Sequence, residues 1–533
     1  MDKKIDKLMD ILFGTFIVVF PFIVFLKTRS IDPVLYNLYS SNMGMFYDFI
    51  LLARERFLLV FTLVIIFLFL IRMKNNGIQN IIMYILNNKY IFIFSFIYIL
   101  LLYLSSFLNY NSYFSLYGGY FDCEGIISIT CYLILFIIGC YYFRQNNLNC
   151  FKLSIKILFV LFIIFSILER LDINVLNIPF IKNIILIGSS NTYLNNINIV
   201  GSKLQLFFGN SGYFSWVLIL FFPIILNFIN DKKYKLFNYI LVCFSIWMII
   251  ETYSTFSFYI MLFNLILFII FDKRKVKYLL FIFLIFIIFL IRGNYNIILN
   301  KENTSNNKKL ITSISINGDK ILFKFKDEDI LYDMNQENSS IKMYKDFDVY
   351  RFDFGYKDTI DFKFDNNRFY LIKNDVRIDD NVFSYDIKNI RFDRILTGRG
   401  YIYRNSIKYI AKNILIGHGS NSFIYYFNNN DYLGILNSQD SSSFYILKPH
   451  SMYLDIIFTS GVLSFINFIL FIIYIIYMFF KKRVYLDRFY LCLFISVINY
   501  LIFGILNDSL VLVSPYFYIV LSILCSKVLK RKS

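Results

Sequence analysis

The sequence predicts an all-α polytopic membrane protein that carries a small β-rich insert. Three observations predict it. Hydrophobic residues make up 58% of the 533 residues, with 64 Phe and 43 Tyr, and the mean hydropathy is +0.59; a water-soluble chain has no interior able to hide that much apolar surface. Apolar runs recur at lengths of about 20 residues, which as helices cross ~30 Å of hydrocarbon. One stretch, 305–390, breaks this pattern and alternates apolar with polar residues.

About twelve spans are expected, at 11–26, 57–72, 90–107, 125–143, 153–168, 212–229, 236–251, 255–271, 278–292, 453–480, 489–506 and 509–526. The first, ILFGTFIVVFPFIVFL, follows MDKKIDK like the apolar core of a signal peptide. No small-residue cleavage pattern follows it, so a retained helix is expected. With the N-terminus in the cytoplasm, the basic clusters fall on one side: Lys3/Lys4/Lys7, Arg72/Lys74/Lys89, Arg144/Lys152, Lys232/Lys233/Lys235, Lys273/Arg274/Lys275/Lys277, Lys481/Lys482/Arg483/Arg488 and Lys527/Lys530/Arg531/Lys532. The opposite short loops, 108–123, 252–254 and 507–508, hold no Lys or Arg. This asymmetry predicts a multi-pass protein of the cell membrane with both termini cytoplasmic and with 27–56, 169–211 and 293–452 outside. It also accounts for much of the net charge of +18 without a nucleic-acid partner. The seven cysteines lie mostly in apolar runs, without zinc spacing, and read as packing residues. No internal repeat is evident, which argues against a transporter built from duplicated halves.

The chain then divides into four parts: 1–292 with the first nine spans, a β-rich extracytoplasmic insert at 293–395, a helical extracytoplasmic loop at 396–452, and 453–533 with the last three spans and a basic tail. In the insert, LITSISINGDKILFKFKDEDI and IDFKFDNNRFYLI alternate with period two. Asn317-Gly318 between two such runs predicts a hairpin whose central positions have φ > 0. The insert reads as an accessory domain whose interior catalysis does not need.

Residues 394–465 contain an ordered set of motifs: Thr397-Gly398-Arg399, then Gly417-His418-Gly419 with Phe423, then His450-Ser451-Met452-Tyr453-Leu454 running into a helix with Gly461. The set resembles the bacterial O-antigen ligase/O-antigen polymerase family. GGYFDCEGIISITCYLILF with Glu124-Gly125, FFGNSGYFSWVLILFFP with Gly209-Asn210, and FGILNDSLVLVSPYFYIVL are similar to further segments of that family. The resemblance implies a GT-C-like membrane fold and an inverting, metal-independent glycosyltransferase without a cofactor. The donor it implies is an undecaprenyl-diphosphate-linked glycan. The acceptor is a hydroxyl of a glycan or another molecule, at the outer face of the bilayer, for cell-surface polysaccharide, alongside other polysaccharide-assembly proteins.

Such a reaction needs a base for the acceptor proton and cations for the leaving diphosphate. Imidazole suits the first near neutral pH, worth typically ~10²–10⁴-fold. Of the two histidines, His450 follows Lys448-Pro449 where water meets lipid and is the expected base. Pro449 fits a helix start, where a missing N–H leaves nothing unpaired. His418, between two glycines, reads as loop architecture. Arg399 and Arg404 are the expected diphosphate contacts, since a guanidinium fork matches phosphate oxygens. Lys448, Lys203 and Arg54 are further candidates. The resemblance implies an arginine before Gly209-Asn210, where Lys203 stands, and another where Ser254-Thr255 stands; lysine keeps the charge without the fork, and threonine keeps neither. Two other readings compete: a lipid-linked oligosaccharide flippase, and a catalytically inactive relative acting as an assembly scaffold.

Overall fold

Apolar runs free of helix-breaking clusters satisfy their backbone groups internally, as any segment in hydrocarbon must. The computed structural model describes residues 2–30, 45–76, 78–108, 112–120, 123–144, 148–186, 203–231, 233–271, 276–292, 310–326, 328–334, 342–346, 348–373, 376–441 and 445–529. Lys232, the Lys273/Arg274/Lys275 cluster and Lys530/Arg531/Lys532 lie outside them.

Before the insert the helices of ten or more residues are α1 (Asp2–Val19), α2 (Leu51–Asn76), α3 (Ile78–Asn87), α4 (Lys89–Phe107), α5 (Ile126–Tyr142), α6 (Asn149–Arg170), α7 (Ser211–Phe228), α8 (Lys235–Glu251), α9 (Thr255–Phe271) and α10 (Val276–Arg292). After it come α11 (Ile395–Ile410), α12 (Tyr432–Gln439), α13 (Met452–Lys481), α14 (Arg488–Phe503) and α15 (Ser514–Val528). A helix stands at each expected span. Among the described residues, five are long and apolar enough to cross a membrane: Leu51–Lys74, Lys89–Phe107, Asn149–Arg170, Ser211–Phe228 and Met452–Lys481. Outside the expected spans, Lys27–Ser30 (β1) pairs antiparallel with Met45–Asp48 (β2).

α7 lies at the centre, with Trp216–Phe222 fully buried. It packs on α14, while α15 packs on α5, α13 on α4 and α1 on α6. Trp216 stacks on Tyr500 and Phe503 at 4.8 and 5.0 Å. Two amides in this core donate to backbone carbonyls: Asn499 Nδ2 to Ile219 O (3.1 Å) and Asn467 Nδ2 to Phe94 O (2.9 Å).

The alternating segment forms strands: β3 (Ile311–Asn317), β4 (Lys320–Phe325), β5 (Asp329–Asp333), β6 (Lys342–Asp346), β7 (Val349–Asp353), β8 (Ile360–Asp365), β9 (Arg368–Lys373), β10 (Val376–Ile378) and β11 (Val382–Ser384). They build one antiparallel sheet in the order β11-β3-β4-β5 and a second in the order β10-β9-β8-β7-β6. Ile314, Ile316, Ile321 and Phe323 from the first sheet meet Phe352, Phe362, Phe369 and Leu371 from the second in a closed core, the packing of a sandwich. The first hairpin forms one residue later than expected. Asn317 pairs with Lys320, so Gly318 and Asp319 make the turn, and of the two only Gly318 has positive φ (60°). This register brings Ile316 opposite Ile321 and Ile314 opposite Phe323, which keeps the large side chains on one face.

The insert is not separate from the helical loop that follows. Tyr432, Leu433 and Leu436 of α12 belong to its core. Ile435, on the other side of α12, joins Tyr401, Ile402, Phe423, Phe427 and Phe458 in a cluster that seats the loop on α13.

Two of the glycine motifs explain each other. α13 breaks at Gly461 (φ 80°, ψ 171°). The loop lies across the break: His418 N donates to Phe458 O and Gly419 N to Thr459 O, each 2.8 Å, and Val462 N donates to Ile414 O at 2.8 Å. A Cβ on Gly417 would stand 2.6 Å from Gly461 N, and one on Gly461 would run into Leu415 O.

Candidate active site

The start of α13 carries His450. Met452 N donates to both Gly504 O and Asn507 O at 2.9 Å, so the turn between α14 and α15 caps the helix. Asp508 lies in that turn and is 7% exposed. Its Oδ1 accepts from Ser451 N (3.1 Å) and its Oδ2 stands 3.0 Å from His450 Nδ1. Burial alone would raise the Asp508 pKa, but the hydrogen bond and charge of His450, then the charges of Lys448 and Arg399, hold it below the usual carboxylate value. An ionised carboxylate accepts only, so Nδ1 donates to it, and in the neutral ring the lone pair is then at Nε2. The imidazole is 33% exposed. His450 also has φ 54°, a backbone conformation that costs a non-glycine residue roughly 1–3 kcal/mol and persists where neighbours impose it. Asp508 imposes it from one side. From the other, Tyr403 Oη donates to His450 O at 3.1 Å.

That tyrosine links His450 to Arg399. Leu396, Thr397 and Gly398 all have positive φ (56°, 60° and 87°), so the regular part of α11 begins at Arg399. Tyr403 lies four residues on, on the same helix face. Arg399 is half-buried, and its charge reaches both Tyr403 and Asp508. The turn before it is held by α12. Gln439 Nε2 donates to Gly398 O (3.0 Å) and occupies the place a Cβ on residue 398 would need. Further along α12, Asn437 Nδ2 donates to Ile311 O (2.9 Å), its Oδ1 accepts from Tyr356 Oη (2.6 Å), and its carbonyl accepts from Arg394 Nε (2.9 Å). The sandwich therefore reaches the Arg399 turn through one helix.

Beside His450, Lys448 lines a small pocket with Glu124, Asp455, Asn421, Tyr98 and Ser509. Lys448 Nζ is 3.5 Å from Asp455 Oδ2, and Asn421 Nδ2 donates to Glu124 O at 2.9 Å. The pocket pairs a cation with carboxylates and hydroxyls, Lys448 standing two residues before His450, and these groups can hydrogen-bond a hydroxyl.

The structure thus brings His450, Arg399 and Lys448 together, and corrects two other expectations. Arg404 does not offer its fork to a ligand: Nε and Nη2 close on the two oxygens of Asp393 at 2.8 and 2.7 Å. Asp393 is fully buried and also accepts from Tyr385 Oη (2.7 Å). The pair is an internal clamp, since a buried carboxylate needs its partners. Arg54 does not face a headgroup. It is fully buried and donates to Pro21 O, to Ile23 O (3.3 Å) and to Phe207 O (2.6 Å), tying the end of α1 to the segment before α7.

Lys203 is exposed, and its neighbour Leu204 N donates to Glu251 O (3.0 Å). This backbone contact places Lys203 beside the turn that leads to Ser254-Thr255. Arg170, which the sequence reading did not single out, stands at the same turn, with Nε 3.5 Å from Glu251 Oε2. Asp508 was also missed as a functional residue. It was legible as an acid between two apolar spans, a placement that needs a structural or functional reason.

Residues 240–469 match the family model described as O-antigen ligase, fewer than half of the 533 residues. No curated protein and no solved structure matches the chain. The matched segment takes in Arg399, His418, Lys448 and His450, while Asp508, Glu124 and Lys203 lie beyond it. Over this segment the chain is similar to the O-antigen ligase family.

Proposed function

We propose that this membrane protein is an inverting, metal-independent glycosyltransferase. It polymerises or ligates an undecaprenyl-diphosphate-linked glycan at the outer face of the cytoplasmic membrane, with both termini in the cytoplasm. The observation that carries the reading is the His450–Asp508 pair at 3.0 Å, with Arg399 and Lys448 beside it.

The acceptor hydroxyl gives its proton to His450 Nε2 as its oxygen forms the new bond to the anomeric carbon. The bond from that carbon to the diphosphate oxygen breaks, and the leaving lipid diphosphate keeps the electron pair. Attack opposite to the leaving group inverts the anomeric centre. Asp508 holds the ring in the tautomer that accepts at Nε2 and stabilises the imidazolium that forms. Arg399 offers two parallel donors to the diphosphate, with Lys448, Lys203 and Arg170 as further positive charge at this end of the bundle. The Lys448–Asp455–Glu124 cavity receives acceptor hydroxyls.

The scaffold reading has one observation in its favour: Ser254-Thr255 stands where the resemblance implies an arginine. The experiment that separates the two is reconstitution of the purified protein in proteoliposomes with the native lipid-linked glycan. Product lengthening or transfer, with release of lipid diphosphate, is expected. Intact donor after prolonged incubation, with a correctly inserted protein, rejects the enzyme and leaves the scaffold.

A further inference from the structure

A second cavity lies far from His450 along the helices. It opens between the first half of α6, the end of α7 and the start of α8. The opposite end of α6 belongs to the His450 side of the bundle: there Glu169 accepts from Gln205 N and Leu206 N (3.1 and 2.8 Å), just before α7. The groove is therefore at the lysine-rich end of the helices and apart from the proposed reaction.

Its lining changes character along its length. At the helix ends it is polar and charged, with Lys152, Lys156, Asn230 and Asp231; deeper along α6 it is apolar, with Leu153 and Ile157, which are 57% and 42% exposed. Lys152 and Lys156 are four residues apart and share a helix face. Lys156 Nζ lies 3.5 Å from Asp231 Oδ2 and over the Phe228 ring at 4.8 Å. Lys152 Nζ lies over the Phe489 ring at 4.4 Å. The groove thus sets the Lys152 and Lys156 ammonium groups against one carboxylate, next to an apolar channel, and a third ammonium, Lys277 Nζ, donates to Asn230 Oδ1 at 2.8 Å.

We propose that this groove binds an anionic phospholipid. Its phosphate rests between Lys152 and Lys156, its headgroup hydroxyls reach Asn230, and an acyl chain lies along Leu153 and Ile157. A negative phosphate offsets positive charge that Asp231 alone does not compensate; a zwitterionic lipid adds a cation next to the lysines. The apolar channel selects a lipid over a free anion. Basic residues at a membrane surface each favour an anionic lipid by an increment equivalent to about fivefold in affinity.

The test is native mass spectrometry of the full-length detergent-purified protein, titrated separately with phosphatidylglycerol, phosphatidylcholine and inorganic phosphate. Phosphatidylglycerol should bind more tightly than phosphatidylcholine. Lys152→Gln should reduce its affinity by about fivefold and leave phosphatidylcholine unchanged. This variant keeps the Lys156–Asp231 pair intact and so tests the site without breaking an ion pair. Lys481→Ala, at the same lysine-rich end but outside the groove, should have no effect. Equal binding of the two lipids, or an unchanged Lys152→Gln titration, overturns the proposal. Occupancy by inorganic phosphate as tight as by phosphatidylglycerol overturns the lipid assignment.

Discussion

The chain has two histidines, and the fold treats them in opposite ways. His418 is 7% exposed, stacked against Phe458 and Tyr426 with ring centroids at 4.7 and 4.4 Å. Its Nε2 lies 3.0 Å from Tyr409 O, so that nitrogen donates to a carbonyl. His450 sits a few residues before the same helix turn that Phe458 occupies. There its Nδ1 faces an ionised carboxylate and a third of its side chain meets solvent. Imidazole is the same group in both. What differs is the partner and which nitrogen remains. A carbonyl and two aromatic faces make a neutral packing element; a buried carboxylate and an open Nε2 make a base that can hold a proton in transit.

The contrast breaks most directly at His450. His450→Ala should lower turnover by ~10²–10⁴-fold while the protein inserts and elutes as the wild type, measured as glycan product in proteoliposomes. Near-normal turnover would reduce His450 to a helix-start residue. Asp508→Asn is expected to cost nearly as much, up to ~10⁴-fold, because an amide facing Nδ1 no longer holds the ring in the tautomer that accepts at Nε2 and no longer stabilises its imidazolium. The drop should fall mainly on kcat, with KM for the donor little changed. A variant that loses donor affinity alone would instead make Asp508 part of the binding surface.

How much of this was legible in the sequence differs by region. The apolar runs announced helices because length and hydropathy act locally. The strands were announced by alternation, but the hairpin centre was missed by one residue, because cross-strand packing of Ile314, Ile316, Ile321 and Phe323 decided the register. His450, Arg399 and Lys448 were legible as a set. Arg404 and Arg54 were misread because their partners, Asp393 and the carbonyls at Pro21, Ile23 and Phe207, are supplied by other parts of the fold. Asp508 stands 58 residues after His450, and only the packing of the α14–α15 turn on the start of α13 joins them. The pairing of Gly417 with Gly461 and the sharing of α12 between the insert and the loop are tertiary facts of the same kind.

The next smaller effect sharpens the comparison by testing what surrounds the open nitrogen. Arg399→Lys keeps the charge that faces Asp508 and loses the planar fork. About a tenfold loss in kcat/KM is expected, roughly the worth of one charge-assisted hydrogen bond. Restoration of activity by a donor with a shorter lipid would argue that the arginine holds the lipid and not the diphosphate. The turn that aims Arg399 hangs on Gln439 and, through α12, on the sandwich, so the insert contributes rigidity to the site although none of its strands lines the cavity beside His450.

The smallest expected effect on activity belongs to His418, and it is the one that tests the other half of the contrast. His418→Ala should leave turnover nearly unchanged and should cost about 1–3 kcal/mol of stability, the order expected for losing a buried hydrogen bond and its packing. The loss should depend on pH. Burial holds the His418 pKa below its usual value; the Tyr409 carbonyl opposes that shift and the Lys412 charge adds to it. In the unfolded chain the ring protonates near ~6.5. Below that pH the unfolded state binds a proton that the folded state still refuses, so acidification destabilises the fold through His418 until the depressed folded value is reached. Above it the residue contributes no pH dependence. Thermal unfolding at pH 7.5 and pH 5.0 should therefore show a larger acid-induced loss in the wild type than in His418→Ala, so the two proteins converge on acidification. His450 is present in both and cancels in the difference. If the gap between them widens instead as the pH falls, His418 is stabilised by its proton, and the carbonyl at Tyr409 holds a charged ring.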